Sequence, residues 1–360
     1  MSDRLHVGTR KGLFELARRQ GGWDVADVQF LGDPVTMTLS DGDTDYAALD
    51  LGHFGAKLWR KRGNAPWQEI AVPSFPPKPD DPEDPHPWTL GKIWALEPGG
   101  VPGRLWAGTM PGGLFRSDDG GDSWTLNEPL WRHPDRKKWM GVAGGEQPGM
   151  HSVLVDPRDP RTIRVGVSCA GMWETRDEGA SWKIINEGMY NEYLPPEQSG
   201  DPIAQDIHLL DHCAAAPDVV WCQHHNGVFR SVDAGHHWTE ITATRPSKFG
   251  FAVAAHPRDP KTAWFVPAVK DEKRIPADGK LVVSRTRDAG ASFEVLSQGL
   301  PQQHAYDLIY RHGLAIDETG ERLAIGSTSG GLWISEDGGE RWMAPEARLP
   351  PVSAVRFAAA

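Results

Sequence analysis

One eight-residue phrase, Ser/Thr-x-Asp-x-Gly-x-x-aromatic, recurs five times and constrains the fold of this chain more than any other feature. The copies are SDDGGDSW from Ser117, TRDEGASW from Thr175, SVDAGHHW from Ser231, TRDAGASF from Thr286 and SEDGGERW from Ser335, with starts 58, 56, 55 and 49 residues apart. A period of that size calls for one supersecondary unit stacked on copies of itself. Each phrase follows a short apolar run such as GGLFR, GMWE or GVFR, and a strand-like run such as RLWAGT, TIRVGV or VVWCQH comes before that. Two further copies, ending at Trp23 and Trp67, keep the frame without the acid, so the total is seven. Shared over 360 residues, that is about 51 residues per unit, the size of a four-stranded antiparallel blade. Alternation within LHVGT, KIWAL, HSVLV and FAVAA argues for strands, and no window carries a sustained helical stripe.

The two ends fit together in this frame. PVSAVRFA near the C-terminus has the pattern of an innermost strand, whereas the first unit opens with LHVGTR, which is a second strand elsewhere. Joined in one blade, the two ends leave no open sheet edge in the ring. The expected fold is therefore all-β: a seven-bladed β-propeller of four-stranded antiparallel blades, one domain over residues 1–360, closed by the C-terminal strand joining the N-terminal blade.

The boxes resemble the Asp-box, or BNR, repeats of sialidases and related proteins, over nearly the whole chain. The resemblance implies the propeller and, more loosely, glycosidase-like chemistry. For Asp119, Asp177, Asp233, Asp288 and Asp337 the residues themselves favour a structural role: an aspartate in a turn accepts backbone N–H bonds locally, while the following Trp or Phe packs between sheets. A sialidase would also have an arginine cluster, a tyrosine nucleophile activated by a glutamate, and an aspartate acid/base. Here an Arg-Ile-Pro phrase occurs at Arg274, but in the sixth unit rather than ahead of the first box, and spacing picks out no Tyr/Glu pair.

Topology separates the rims of such a ring. The boxed turns share one rim with short phrases such as DPRDP and HPRDP. The opposite rim carries the turns between second and third strands and three long crossovers, residues 73–90, 127–149 and 186–204, and long irregular loops on a rigid scaffold are where binding and catalysis concentrate. Residues expected to face the axis there are unusually polar. Arg10, His53, Lys92, Lys270, Glu272 and Arg274 are expected to hold a substrate, with Trp88 and Trp139 from the crossovers stacking on it. His151, His208 and His224, drawn from neighbouring strands, could hold a divalent metal (Zn, Mn or Fe) with a position open for substrate or water. Asp206, His304 and Tyr306 would serve proton transfer. The alternative for the histidines is a water-filled channel in which they only hydrogen-bond.

Composition bounds the partners. With 38 Lys plus Arg against 49 Asp plus Glu the net charge is −11, which repels a nucleic-acid backbone or an anionic membrane. An anionic ligand must then find a local basic pocket. No run approaches the roughly 18 apolar residues of a membrane helix, the N-terminus reads as strand rather than leader, and a cytoplasmic location is the expectation. Cys169, Cys213 and Cys222 form no CxxC pair and read as reduced thiols. Two functions follow: a glycan-active or related hydrolase or lyase taking a small or glycan ligand of anionic character, or a non-catalytic propeller that binds a small ligand or a protein.

Overall fold

The computed structural model describes residues 2–141 and 147–358. Seven antiparallel sheets form the blades of a propeller. The first consists of Arg4–Thr9, Gly12–Arg19 and Gly22–Gln29, with Val352–Phe357 paired along the inner side of Arg4–Thr9. Leu5 faces Phe357 and Val7 faces Val355 in that ladder, the closure the displaced ends require. Five further sheets have four strands each, and the seventh has three, Leu314–Ile316, Leu323–Gly326 and Leu332–Ser335. Among the described residues its fourth edge is a bridge between Ile334 and Met343.

The core lies between the blades. Ala252, Ala254 and Trp264 of the sixth sheet pack on Leu323, Ile325 and Trp333 of the seventh, and equivalent clusters fill the other junctions. Inner and middle strands such as Gly250–Ala255 and Ile163–Val167 are buried on both faces, which is why apolar runs such as GFAVAA lack polar alternation, whereas outer strands such as Gly22–Gln29 are largely exposed.

The boxed turns repeat one hydrogen-bond pattern. In the second box the Thr175 hydroxyl donates to Asp177 Oδ1 at 2.7 Å and accepts from the Gly179 N–H at 2.9 Å, while Asp177 Oδ1 accepts from the Ser181 N–H at 2.9 Å. The same bonds recur around Asp119, Asp233, Asp288 and Asp337. The glycine is compulsory: Gly121, Gly179, Gly235, Gly290 and Gly339 have φ between 91° and 95°, a conformation that a side chain strains. The aromatic residue reaches the previous blade, as Trp124 Nε1 donates to Ala71 O at 3.0 Å and Trp238 Nε1 to Ile185 O at 3.1 Å. The boxes thus close turns and staple neighbouring blades.

Crossovers 73–90 and 186–204 run where expected; of crossover 127–149, residues 142–146 lie outside the described residues. A fourth long crossover was not expected. Between Glu294–Leu296 and Leu314–Ile316 the chain is irregular up to a 3-10 turn at Arg311–Gly313. The phrase HAYDLIY alternates like a strand, but its apolar members Ala305, Leu308 and Ile309 are buried as loop anchors. The inner strand therefore starts at Leu314, and Arg311 and His312 take the axial place expected for His304 and Tyr306.

Candidate functional site at the crossover rim

Two cavities meet on the axis. The larger, roughly 2250 Å³, opens at the crossover rim; the smaller, roughly 390 Å³, lies toward the box rim, and Arg311 and His312 line both. Seven of the expected site residues line the larger one: Arg10, Lys92, Asp206, His208, Lys270, Glu272 and Arg274. The rim chosen from topology is the one with the large opening.

The remaining expectations are placed elsewhere. His53 is exposed on a 3-10 turn against Phe54. Trp88 is buried, donating from Nε1 to Asp84 Oδ2 at 2.9 Å, and Trp139 is buried against Trp173, so both anchor crossovers instead of presenting a face to a ligand. His304 and Tyr306 lie on the exposed part of the fourth crossover.

The expected metal trio does not converge. His151 is buried with Nε2 2.9 Å from Ile207 O and lines the smaller cavity. His224 is wholly buried against Phe229. What does converge is Asp206, His208 and His225, whose ligand atoms all lie within 4.8 Å of one another. The expectation selected His224 where the neighbouring His225 faces the cavity; successive residues of a strand point to opposite faces, so a slip of one position exchanges a lining residue for a core residue.

Each member of this cluster is placed by an irregular feature of its blade. Asp206 ends the third crossover, His208 lies on the inner strand Ile207–Cys213, and His225 is in the turn after Ala216–His224. Asp206 Oδ2 is 3.2 Å from His225 Nδ1 and 3.8 Å from His208 Nε2. The His208 ring lies flat on Phe251, centroids 4.5 Å apart, and its Nδ1 is 2.6 Å from Gly250 O. Cys169, in the turn before Gly171–Thr175, and Tyr193, on the third crossover, complete the wall, with the Tyr193 ring edge-on to His225 at 5.0 Å.

Charge at this floor is strongly shaped by burial. Burial alone would raise the Asp206 carboxyl, but the His225 hydrogen bond and the positive charges of His225 and Arg311 hold it well below the usual carboxylate range. Burial pushes His208 down to about 3. His225 is raised: burial opposes its charge, and Asp206 more than compensates. Burial and the nearby Asp206 push the Cys169 thiol far up, so it stays protonated, and burial does the same to the Tyr193 phenol.

Arg311 is the residue sequence reasoning missed. It is 9% exposed, and its guanidinium lies 4.9 Å from the Trp94 ring centroid and 5.5 Å from that of Phe251. Among the described residues its hydrogen bond is from Nη2 to Ser168 Oγ at 3.4 Å, Nε has no partner, and it enters no ion pair. The signal in the sequence was RHG immediately before LAI, visible only once the inner strand is begun at Leu314.

The fold and this opening define a seven-bladed propeller with a deep polar cavity on its axis at the crossover rim. No known family description matches the chain. Among characterised proteins it is similar to an oligoxyloglucan-reducing end-specific xyloglucanase of Emericella nidulans, 27% identical over 253 residues covering 64% of this chain, and to a xyloglucanase of a Paenibacillus species, 26% identical over 232 residues covering 58%. The matched stretches span only 27% and 20% of those relatives' own lengths. Among solved structures it resembles an ancestral GH74 enzyme, with TM-score 0.57 and 16% identity over 83% of this chain and 36% of that one. A putative 6-phosphogluconolactonase of Bacteroides fragilis gives 0.58 and 10% over 99% and 98%. These structural likenesses are likenesses of fold.

Proposed function

We infer that the chain is a glycan-active, hydrolase-like propeller that takes its ligand in the crossover-rim cavity and receives an acidic group of that ligand on Arg311. The observation that carries this reading is Arg311 itself: a buried guanidinium that, among the described residues, makes no direct ion pair, with the Asp206 carboxylate acting on it only from a distance. Burying a charge without a counter-charge is strongly unfavourable, and a carboxylate or phosphate entering the cavity would supply that counter-charge through paired hydrogen bonds. The half-buried Trp94 ring beside it lines the cavity and offers aromatic surface to a sugar ring. Among the described residues Asp206 Oδ1 is buried without a donor, and it suits a ligand hydroxyl. The cavity is well above the size usual for a small-molecule pocket, about 300–1,000 Å³, and has room for several linked sugars. Similarity to two xyloglucanases supports the glycan class.

Arg10, Lys92, Lys270, Glu272 and Arg274 would contact the outer part of the ligand. The bond-breaking chemistry would be centred on the Asp206 cluster, the part of the cavity with an ionised carboxylate and imidazoles together. The test is calorimetric binding of matched neutral and uronate-containing oligosaccharides, with products followed by mass spectrometry. Acidic oligosaccharides should bind more tightly than neutral ones, and Asp206→Asn should stop product formation. Binding without turnover would mark a non-catalytic ligand-binding propeller, and no binding of either series would end the glycan reading.

A further inference from the structure

We propose that Asp206, His208 and His225 form a divalent metal site at the floor of the crossover-rim cavity. Three geometric facts carry it. First, the carboxylate oxygen stands at suitable separations from both ring nitrogens. Four-coordinate ions with bonds of about 2.1 Å hold their ligand atoms about 3.4 Å apart, and Asp206 Oδ2 is 3.2 Å from His225 Nδ1 and 3.8 Å from His208 Nε2.

Second, His208 is oriented as a metal ligand is. A carbonyl oxygen only accepts, so the 2.6 Å contact with Gly250 O fixes the His208 proton on Nδ1. In the neutral ring Nε2 then presents a lone pair to a carboxylate, two acceptors turned toward each other across 3.8 Å. A cation between them turns that repulsion into coordination. A second ring nitrogen bonded to a backbone carbonyl is the outer-shell arrangement that sets ligand tautomer and ring angle at metal centres. Stacking on Phe251 leaves the ring little freedom to turn away.

Third, Asp206 is 6% exposed, and among the described residues its Oδ1 has no hydrogen-bond partner, so the carboxylate has bonding capacity left. All three donors line the cavity, so a metal here would keep coordination positions open toward it. Two imidazoles and one carboxylate suit zinc, manganese or iron(II). Arg311 weakens cation binding by its charge, and the same charge would favour a ligand whose acidic group bridges metal and guanidinium.

The other cluster of this composition, His6, Glu15 and Asp45, lacks that capacity. The Arg4 guanidinium donates to Glu15 and to Asp45 at 2.9 Å each, occupying both carboxylates. It serves as the internal control.

This inference deepens the glycan reading of the same cavity, but metal uptake is measured without a glycan, so either can fail while the other stands. Full-length protein stripped with EDTA is titrated with ZnCl2 and with MnCl2 by calorimetry, and bound metal is counted by elemental analysis. One equivalent of at least one ion should bind, with affinity at least tenfold weaker in His225→Gln and in Asp206→Asn, and unchanged in His6→Gln. His225 is only partly buried, so its variant should fold; an unchanged melting temperature without metal verifies that. Absence of stoichiometric uptake, equal uptake by His225→Gln, or loss of uptake in His6→Gln instead would each overturn the assignment.

Discussion

The two rims of this propeller come from the same repeat and treat polar side chains in opposite ways. On the box rim five aspartates have nearly identical partners within their own turns, and none leaves a buried oxygen unpaired. On the crossover rim the polar groups come from different positions in different blades, and Asp206 Oδ1 and Arg311 Nε are left incomplete. Repetition marks what the ring needs in order to stand. Unmet bonding occurs on the box rim too, at Asp317 Oδ2 and Arg322 Nε, so it is its conjunction with the large opening that marks where something else is to bind.

The largest effect expected concerns what both rims depend on. Ending the chain before Val352 removes the inner strand of the first blade and exposes the Arg4–Thr9 edge, so cooperative melting should be lost in calorimetry. A truncated protein that melts like the full chain would mean that neither rim depends on ring closure. Next comes Arg311→Met, which keeps much of the volume and removes the charge. Binding of an acidic oligosaccharide should weaken about 30-fold or more, while the melting temperature holds or rises, because an uncompensated buried charge is gone. Loss of stability with affinity unchanged would move Arg311 to the structural side of the division.

Asp177→Ala should do the reverse: about 1 kcal/mol lower stability, because the turn is open to water, with ligand affinity intact. Asp119 and Asp177 are lowered to about 2, chiefly by the serine hydroxyls at Ser123 and Ser181. A lowered carboxyl stabilises the fold fully above its unfolded value, about 3.9, and the contribution is lost as pH falls toward 2. Denaturant unfolding at pH 5, 4 and 3 should show the loss in the parent, and less of it in Asp177→Ala. The smallest effect belongs to His237, which occupies in the third box the place of Ser123 and Ser181, its Nδ1 2.5 Å from Asp233 Oδ2. Asp233, and then Glu187, raise its pKa, so its contribution is present below about pH 6.5 and fades as pH rises through the folded value. His237→Ser should remove that slope and leave binding unchanged. A change in binding would show that the box rim takes part in function.

The architecture was legible because its determinants are local and repeated: a turn that needs Asp, Gly and an aromatic at fixed spacing prints the same letters in five of the seven blades. The site was legible in part. Arg10, Lys92, Asp206, His208, Lys270, Glu272 and Arg274 were found because counting strands places their ends on one rim. His225 was displaced to His224 because the count was off by one at a strand end, and Arg311 was lost because HAYDLIY alternates like a strand. Trp88 and Trp139 show the complementary error. A crossover aromatic outside the repeat serves equally to pin its loop, and only the direction of its ring distinguishes the two uses.

The closing strand has a consequence for synthesis. Leu5 pairs with Phe357, so the blade that begins earliest in the ring is also the last of the seven that can be finished. Blades two to six can each form from contiguous chain, whereas Arg4–Thr9 must wait with one edge unpaired until Val352–Phe357 has been made. Contacts this distant in sequence are slow to make, and an unsatisfied edge recruits other strands meanwhile. The Arg4–Thr9 edge is therefore open to misassociation for as long as the residues between it and Val352–Phe357 take to be made.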